Sequence, residues 1–268
     1  MKFRTIVDIP KPIFEIRPGE RMLFVGSCFA DNIGRRFLEE HFPVIVNPFG
    51  VMYNPASVLH TVEKIKETFD TVVVTLGTNH VYIEKATGEI VDNCRKRPQR
   101  LFEEKELTTE ECAAYLKKVV GLLQAVKPNV NVIFTVSPIR YAKYGYHASQ
   151  LSKSVLLLAV HRVVHNSSGH LVYFPAYEIV NDELRDYRFY KPDMLHPNEQ
   201  AIEYIWERMV EVYFSEYAKK FLDDWQPIKR ALAHRPFNED STEYKTFIES
   251  MMKRKQIIEE KYNISFDR

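Results

Sequence analysis

The segment Arg21-Met22-Leu23-Phe24-Val25-Gly26-Ser27-Cys28-Phe29-Ala30 decides the reading of the fold. Met22, Leu23, Phe24 and Val25 are apolar without alternation, the pattern of a strand buried on both faces as in a parallel sheet. Glycine and small residues then break the strand, and residues 31–41 have the spacing of an amphipathic helix. A serine on such a strand-to-helix turn stands at the carboxyl end of the sheet, beside helix amides that receive negative charge. That placement suits a nucleophile. The plain alternative is a tight turn and nothing more, and an isolated Gly-Ser pair favours it.

Moving outward, Thr71–Leu76 and Asn131–Val136 repeat the continuous apolar pattern, and residues 171–174 predict a fourth strand. Residues 108–126 and 149–164 have helical spacing, the first opening on Thr108-Thr109-Glu110-Glu111 as a cap. Strands alternating with helices predict an α/β fold, a parallel sheet covered on both faces. Residues 81–84 and 89–91 flank Ala86-Thr87-Gly88, a hairpin signal, and predict an insertion above the sheet at about 81–107. A long helix from Pro197 would carry Ile202, Ile205, Met209, Tyr213 and Tyr217 on one face. After Trp225-Gln226-Pro227 the composition shifts, and Tyr244, Phe247, Met251 and Ile258 predict a last amphipathic helix. The expected organisation is one domain over residues 1–222 with a helical appendage over 223–268.

The 268 residues carry 37 basic against 36 acidic side chains, a formal charge of +1. No basic run is longer than Arg95-Lys96-Arg97, so the footprint of a nucleic-acid binder is missing. With Arg100 that run makes a basic patch that reads as a solvated face. The longest apolar run, 155–160, falls far short of the roughly 18 residues of a membrane span. The charged N-terminal residues do not resemble a secretory leader, and the expectation is a cytoplasmic or already processed protein. Cys28, Cys94 and Cys112 form no CxxC pair, which argues against a disulfide framework or zinc knuckle. His147, His161, His165 and His170 lack ligand spacing, so neither metal nor cofactor is expected.

Three further segments could carry chemistry. In Pro192-Asp193-Met194-Leu195-His196-Pro197 an acid and a histidine three apart can hydrogen-bond, the carboxylate fixing the tautomer while the other ring nitrogen faces a hydroxyl. The alternative is a capping segment with Pro197 in the first helical turn. Leu76-Gly77-Thr78-Asn79-His80 ends a buried strand, and an Asn amide there could meet an oxyanion. Asn47-Pro48-Phe49-Gly50-Val51-Met52-Tyr53-Asn54-Pro55 is a loop whose Gly50 offers a backbone N–H with no side chain in the way.

Ser27, Gly50, Asn79 and the Asp193/His196 pair occur in the order of the four blocks of the SGNH, or GDSL-like, hydrolase superfamily, which this chain resembles. More closely, Gly26-Ser27-Cys28-Phe29-Ala30 spells the motif of the GSCFA family. Asn47-Pro48-Phe49-Gly50, Ser137-Pro138-Ile139-Arg140, Ser152-Lys153-Ser154 and Tyr173-Phe174-Pro175-Ala176-Tyr177-Glu178 are similar to that family too. The resemblance covers roughly residues 20–212. It implies a three-layer α/β/α fold of flavodoxin-like type, with Ser27 as nucleophile, His196 as base and Asp193 as its orienting carboxylate. The N–H groups of Gly50 and Ser27 and the Asn79 amide would form the oxyanion hole. Two departures, Gly26 where the GDSL signature has Asp and His80 where the third block often ends in Asp, leave triad and donors intact but alter the pocket.

The implied activity is hydrolysis of, or acyl transfer from, a small-molecule or carbohydrate acyl ester such as an O-acetyl sugar. The competing expectation is a binding protein that keeps the fold without turnover. Cys28, beside Ser27, is expected to be a small buried residue. His80, Arg140 and Tyr53 are candidate substrate contacts; the alternatives are hairpin packing for His80 and a structural ion pair for Arg140.

Overall fold

The computed structural model describes residues 1, 4–92, 94, 97–165, 167, 169–234 and 241–266. In chain order the elements are β1 (Met22–Gly26), α1 (Cys28–Glu39), β2 (Val44–Val46), α2 (Pro55–Lys64), β3 (Thr71–Leu76), β4 (His80–Glu84), β5 (Ile90–Val91), β6 (Phe102–Glu106), α3 (Thr109–Val126), β7 (Asn131–Val136) and α4 (Gly145–Val164). There follow β8 (Leu171–Tyr173), the short α5 (Ala176–Glu178), α6 (Glu199–Tyr213), α7 (Glu216–Ala233) and α8 (Thr242–Tyr262).

β2, β1, β3, β7 and β8 lie side by side in that order, all pairs parallel. Counted along the sheet this is the flavodoxin-like order 2-1-3-4-5, with its topological switch between β1 and β3. Alternate residues of each strand serve opposite faces. Met22, Phe24, Val73 and Ile133 pack with α1, α6, α7 and α8, whereas Leu23, Val25, Val72, Val74, Val132 and Phe134 pack with α2, α3 and α4. The unbroken apolar runs thus reflect two cores, one on each side. The fold is α/β with a central parallel sheet between helical layers.

The insertion is larger than a hairpin. β4 pairs antiparallel with β5 and also with β6, giving a separate three-stranded sheet. In the basic patch, Arg95 and Lys96 lie outside the described residues, while Arg97 reaches Glu84 at 2.5 Å and lies over the Phe102 ring.

The helix from Pro197 is shorter than its apolar spacing suggested. α6 ends at Tyr213, and Ser215, whose hydroxyl accepts from the Ala218 N–H, caps a new helix. Tyr217 therefore belongs to α7 and is exposed. α7 runs through Pro227, so the 222/223 division falls inside a helix. Buried Glu40 at the end of α1 receives Gln226 and Lys229 from α7 at 3.0 and 2.7 Å, tying that helix to the sheet layer. α8 lays Met251, Ile258 and Tyr262 against the same core, leaving Phe247 outside it. Among the described residues no helix is long and apolar enough to cross a membrane.

Candidate active site

Ser27 directly follows β1 and caps α1, its hydroxyl accepting from the Phe29 N–H at 3.3 Å. Its own N–H donates to the Thr75 carbonyl and hydroxyl at 3.0 and 2.9 Å, and its Oγ lies 3.0 Å from Thr75 Oγ1. The glycine before it is obligatory on two grounds: φ is +133°, and a Cβ would overlap the Thr75 carbonyl. The turn is thereby pressed against the end of β3.

The loop after β2 is zipped into the same edge. Asn47 accepts from the Gly26 N–H at 2.9 Å and donates to Asp31 at 2.6 Å, the Met52 N–H donates to the Gly26 carbonyl at 2.8 Å, and the Gly77 and Thr78 amides both donate to the Tyr53 carbonyl. Gly77 has no room for a side chain without crowding Tyr53 and Ser27. From α4, Lys153 Nζ donates to the Gly77 carbonyl at 2.6 Å, and Ser152 Oγ accepts from the Asn79 N–H at 3.0 Å. Lys153 is fully enclosed, and burial pushes its ammonium down to about 7.

Asp193 and His196 sit on a loop held by its own backbone. The Met194 N–H donates to the Lys191 carbonyl, the Lys191 N–H donates to the His196 carbonyl, and Met194 takes a left-handed φ of 57° to close the turn. Asp193 Oδ1 accepts from the His196 and Leu195 amides at 3.0 and 2.8 Å, while Oδ2 meets His196 Nδ1 at 2.7 Å. Those two amides first, and then the imidazole, hold the Asp193 carboxyl down to about 2.

Ser27 and His196 line one cleft of about 250 Å³ with Tyr53, Gly77, Arg140 and Tyr141. No hydrogen bond joins the two: Ser27 Oγ rests on Thr75 and His196 on Asp193. Cys28 is half-buried and lines the cleft, with Sγ 3.5 Å from the Tyr53 hydroxyl, instead of being a small buried residue.

The oxyanion donors implied by the resemblance are engaged elsewhere. The Gly50 N–H donates to the Asn47 carbonyl at 2.9 Å in an exposed turn outside the cleft. Asn79 is 2% exposed and also outside the cleft lining; its Nδ2 donates to the Leu107 carbonyl at 2.7 Å, where it fastens the end of β6. The Ser27 N–H is spent on Thr75. The Cys28 N–H stands first in α1, where helical amides have no intrahelical acceptor.

Of the candidate contacts, Tyr53 and Arg140 face the cleft and His80 does not. His80 stacks on Tyr144 with centroids 3.8 Å apart at the base of the insertion, and burial lowers its pKa. Thr75 was not singled out in the sequence, where a threonine inside an apolar strand looks like β propensity alone. Ser149, Ser152 and Lys153 left a fainter signal: three polar residues on the buried face of a helix.

The GSCFA family model matches residues 21–70 and 59–209, and the model of the GSCFA domain protein C-terminal domain matches residues 225–268. No curated protein matches. Similar solved structures include an acetyl esterase mutant with acetate ion, 12% identical with TM-score 0.43, covering 76% of this chain and 99% of that one. A carbohydrate esterase family 3 protein from Talaromyces cellulolyticus is 11% identical with TM-score 0.41, again covering 76% and 99%. An acetylxylan esterase from Geobacillus stearothermophilus is 13% identical with TM-score 0.44 over the same 76% and 99%. One family model spans β1, the cleft and the Asp193–His196 loop, the other reaches through α8, and the chain belongs to the GSCFA family.

Proposed function

We propose that the protein is a serine-dependent hydrolase of small acyl esters acting through Ser27, His196 and Asp193. The observation that carries this reading is the Asp193–His196 pair, locked at 2.7 Å on a self-bonded loop, whose His196 shares one cleft with a serine at a sheet switch point. Because Asp193 holds Nδ1, Nε2 is the nitrogen left for a hydroxyl. Asp193 is ionised at any ordinary pH, so it orients and stabilises an imidazolium without itself taking the proton.

Ser27 Oγ turns from Thr75 to His196, loses its proton to Nε2 and bonds the ester carbonyl carbon. The tetrahedral oxyanion is met by the Cys28 N–H at the head of α1, since the Phe29 and Ala30 amides that follow are bonded to Ser27 itself. On collapse the C–O bond to the alcohol breaks, and the leaving oxygen takes the proton from His196. Water, deprotonated by the same nitrogen, then releases the acid and restores Ser27. The cleft volume of about 250 Å³ favours a short acyl group, since pockets for larger ligands begin near ~300 Å³. An acetyl ester of a carbohydrate fits that limit.

A fluorophosphonate probe should label the native protein at Ser27, and both Ser27→Ala and His196→Ala should abolish the label. Asp193→Asn should keep the fold and lower turnover of a short-chain ester by about 10²- to 10⁴-fold. A native protein that takes no label at saturating probe, or an unlabelled Ser27 beside a labelled Cys28, would sink this reading.

A further inference from the structure

We propose that Arg140 anchors an anionic group, a carboxylate or a phosphate, carried by the ester that Ser27 attacks; this rests on the hydrolase reading above. The cleft that Arg140 shares with Ser27 and His196 has two cationic side chains, Arg140 and Lys143, and no aspartate or glutamate in its lining. Lys143 is already matched, bonded to Tyr82 and 3.3 Å from Glu104. Among the described residues the Arg140 guanidinium makes no ion pair and no hydrogen bond to another side chain, so the structural ion pair that its position at a strand end suggested is not formed.

Its position is fixed instead by tyrosines. The guanidinium carbon lies 4.4 Å from the ring centroid of Tyr190, 5.4 Å from Tyr187 and 5.7 Å from Tyr146. Ring faces steady a cation without supplying an acceptor for its in-plane N–H groups, and Arg presents five of those in a rigid fork suited to carboxylate or phosphate. A half-buried fork with unused donors is a preorganised anion receptor.

Arg140 is also coupled to the catalytic loop, because its backbone N–H donates to the Leu195 carbonyl at 3.1 Å, next to His196. On its other side lies a second hollow of about 190 Å³, lined by Asn181, Tyr187 and Tyr190. Asp186 in that hollow accepts from the Arg188 N–H at 2.8 Å and leaves Arg140 unpaired. Arg140 thus stands between the serine cleft and an adjoining recess, where it can grip a charge on the part of the substrate away from the carbonyl.

The test compares three acetate esters of matched shape: 4-methylphenyl acetate, 4-acetoxybenzoate and 4-acetoxyphenyl phosphate. The native protein should show kcat/KM at least about 10-fold higher for one or both charged esters, the better one identifying the anion. Arg140→Gln should collapse that ratio to near one, chiefly through KM, and Arg140→Lys should keep part of it. A ratio that survives in Arg140→Gln, or no preference in an active native protein, overturns the anchor and leaves the hydrolase reading standing. Calorimetric titration of the Ser27→Ala protein with benzoate and with inorganic phosphate separates the two ideas. Anion binding that Arg140→Gln removes supports the anchor even where no ester is turned over; absence of binding of both anions counts against it.

Discussion

Lys153 stands on α4 with its ammonium against the Gly77 carbonyl and no carboxylate beside it. Holding a proton there is costly, because the charge is removed from water without a counter-ion. Its folded value of about 7 lies below the roughly 10.4 of an unfolded lysine. Between those values the unfolded chain binds a proton that the folded chain has shed, so this group makes stability rise with pH from about 7 to about 10. Lys153→Met removes the ionisable group while keeping its length. Urea unfolding at pH 7 and pH 9.5 should show the native protein gaining stability on the alkaline side relative to Lys153→Met, by up to about 1.4 kcal/mol per pH unit. Parallel pH profiles would show that Lys153 stays charged in the fold. Residue identities in the candidate site were legible in the sequence where their partners are near along the chain. Asp193 and His196 meet across three residues, as their spacing suggested. The Asn79 amide was not legible as a fastener of Leu107, since 28 residues separate the partners.

At the scale of elements, helices with a clear apolar stripe, strands with continuous apolar runs and the β4–β5 hairpin around its glycine turn were readable, whereas β2, β6 and the extent of α7 were not. β2 has three half-buried residues, too few for a periodicity, and β6 reads Phe102-Glu103-Glu104-Lys105-Glu106, charges that no β propensity would select. Those charges suit an edge strand, which they protect from pairing with another chain. α7 was hidden because the composition shifts after Trp225-Gln226-Pro227, where the structure keeps one helix through Pro227. Its docking face is shared with α8, whose Tyr262 hydroxyl and Lys261 ammonium both reach Asp224 of α7, at 2.7 and 2.6 Å. Trp225 of α7 stacks on Phe266 at 4.5 Å, and His41 abuts both rings. Neighbouring residues of α8 therefore have unequal weight. Ile258→Ala, buried in this core, should cost about 2–4 kcal/mol in chemical unfolding, whereas the exposed Ile257→Ala should stay within about 0.5 kcal/mol. Equal effects at the two positions would mean that α8 does not dock by this face.

For the molecule as a whole, the two sheets differ in how they are held. β1, β3 and β7 are covered on both sides by apolar layers, while β6 leaves four of its five residues in solvent. Amide protection follows the cooperative unit that must open. Native-state hydrogen exchange should therefore give Val73, Val74 and Ile133 the global unfolding free energy, with β4, β5 and β6 exchanging through a smaller, local opening. Uniform protection across both sheets would contradict this division. The amino-acid sequence by itself determined the parallel sheet, because unbroken apolar strands are stable only when both faces are buried, and it put the Asp193–His196 pair within reach, because a three-residue spacing on a tight loop can close locally. Only the tertiary structure decided which backbone amides remain free near Ser27, that Lys153 lies without a carboxylate, and that Arg140 faces the cleft unpaired. Those outcomes depend on partners supplied by distant segments, and a hydrogen-bond donor or a charge is spent or available only once the chain has packed.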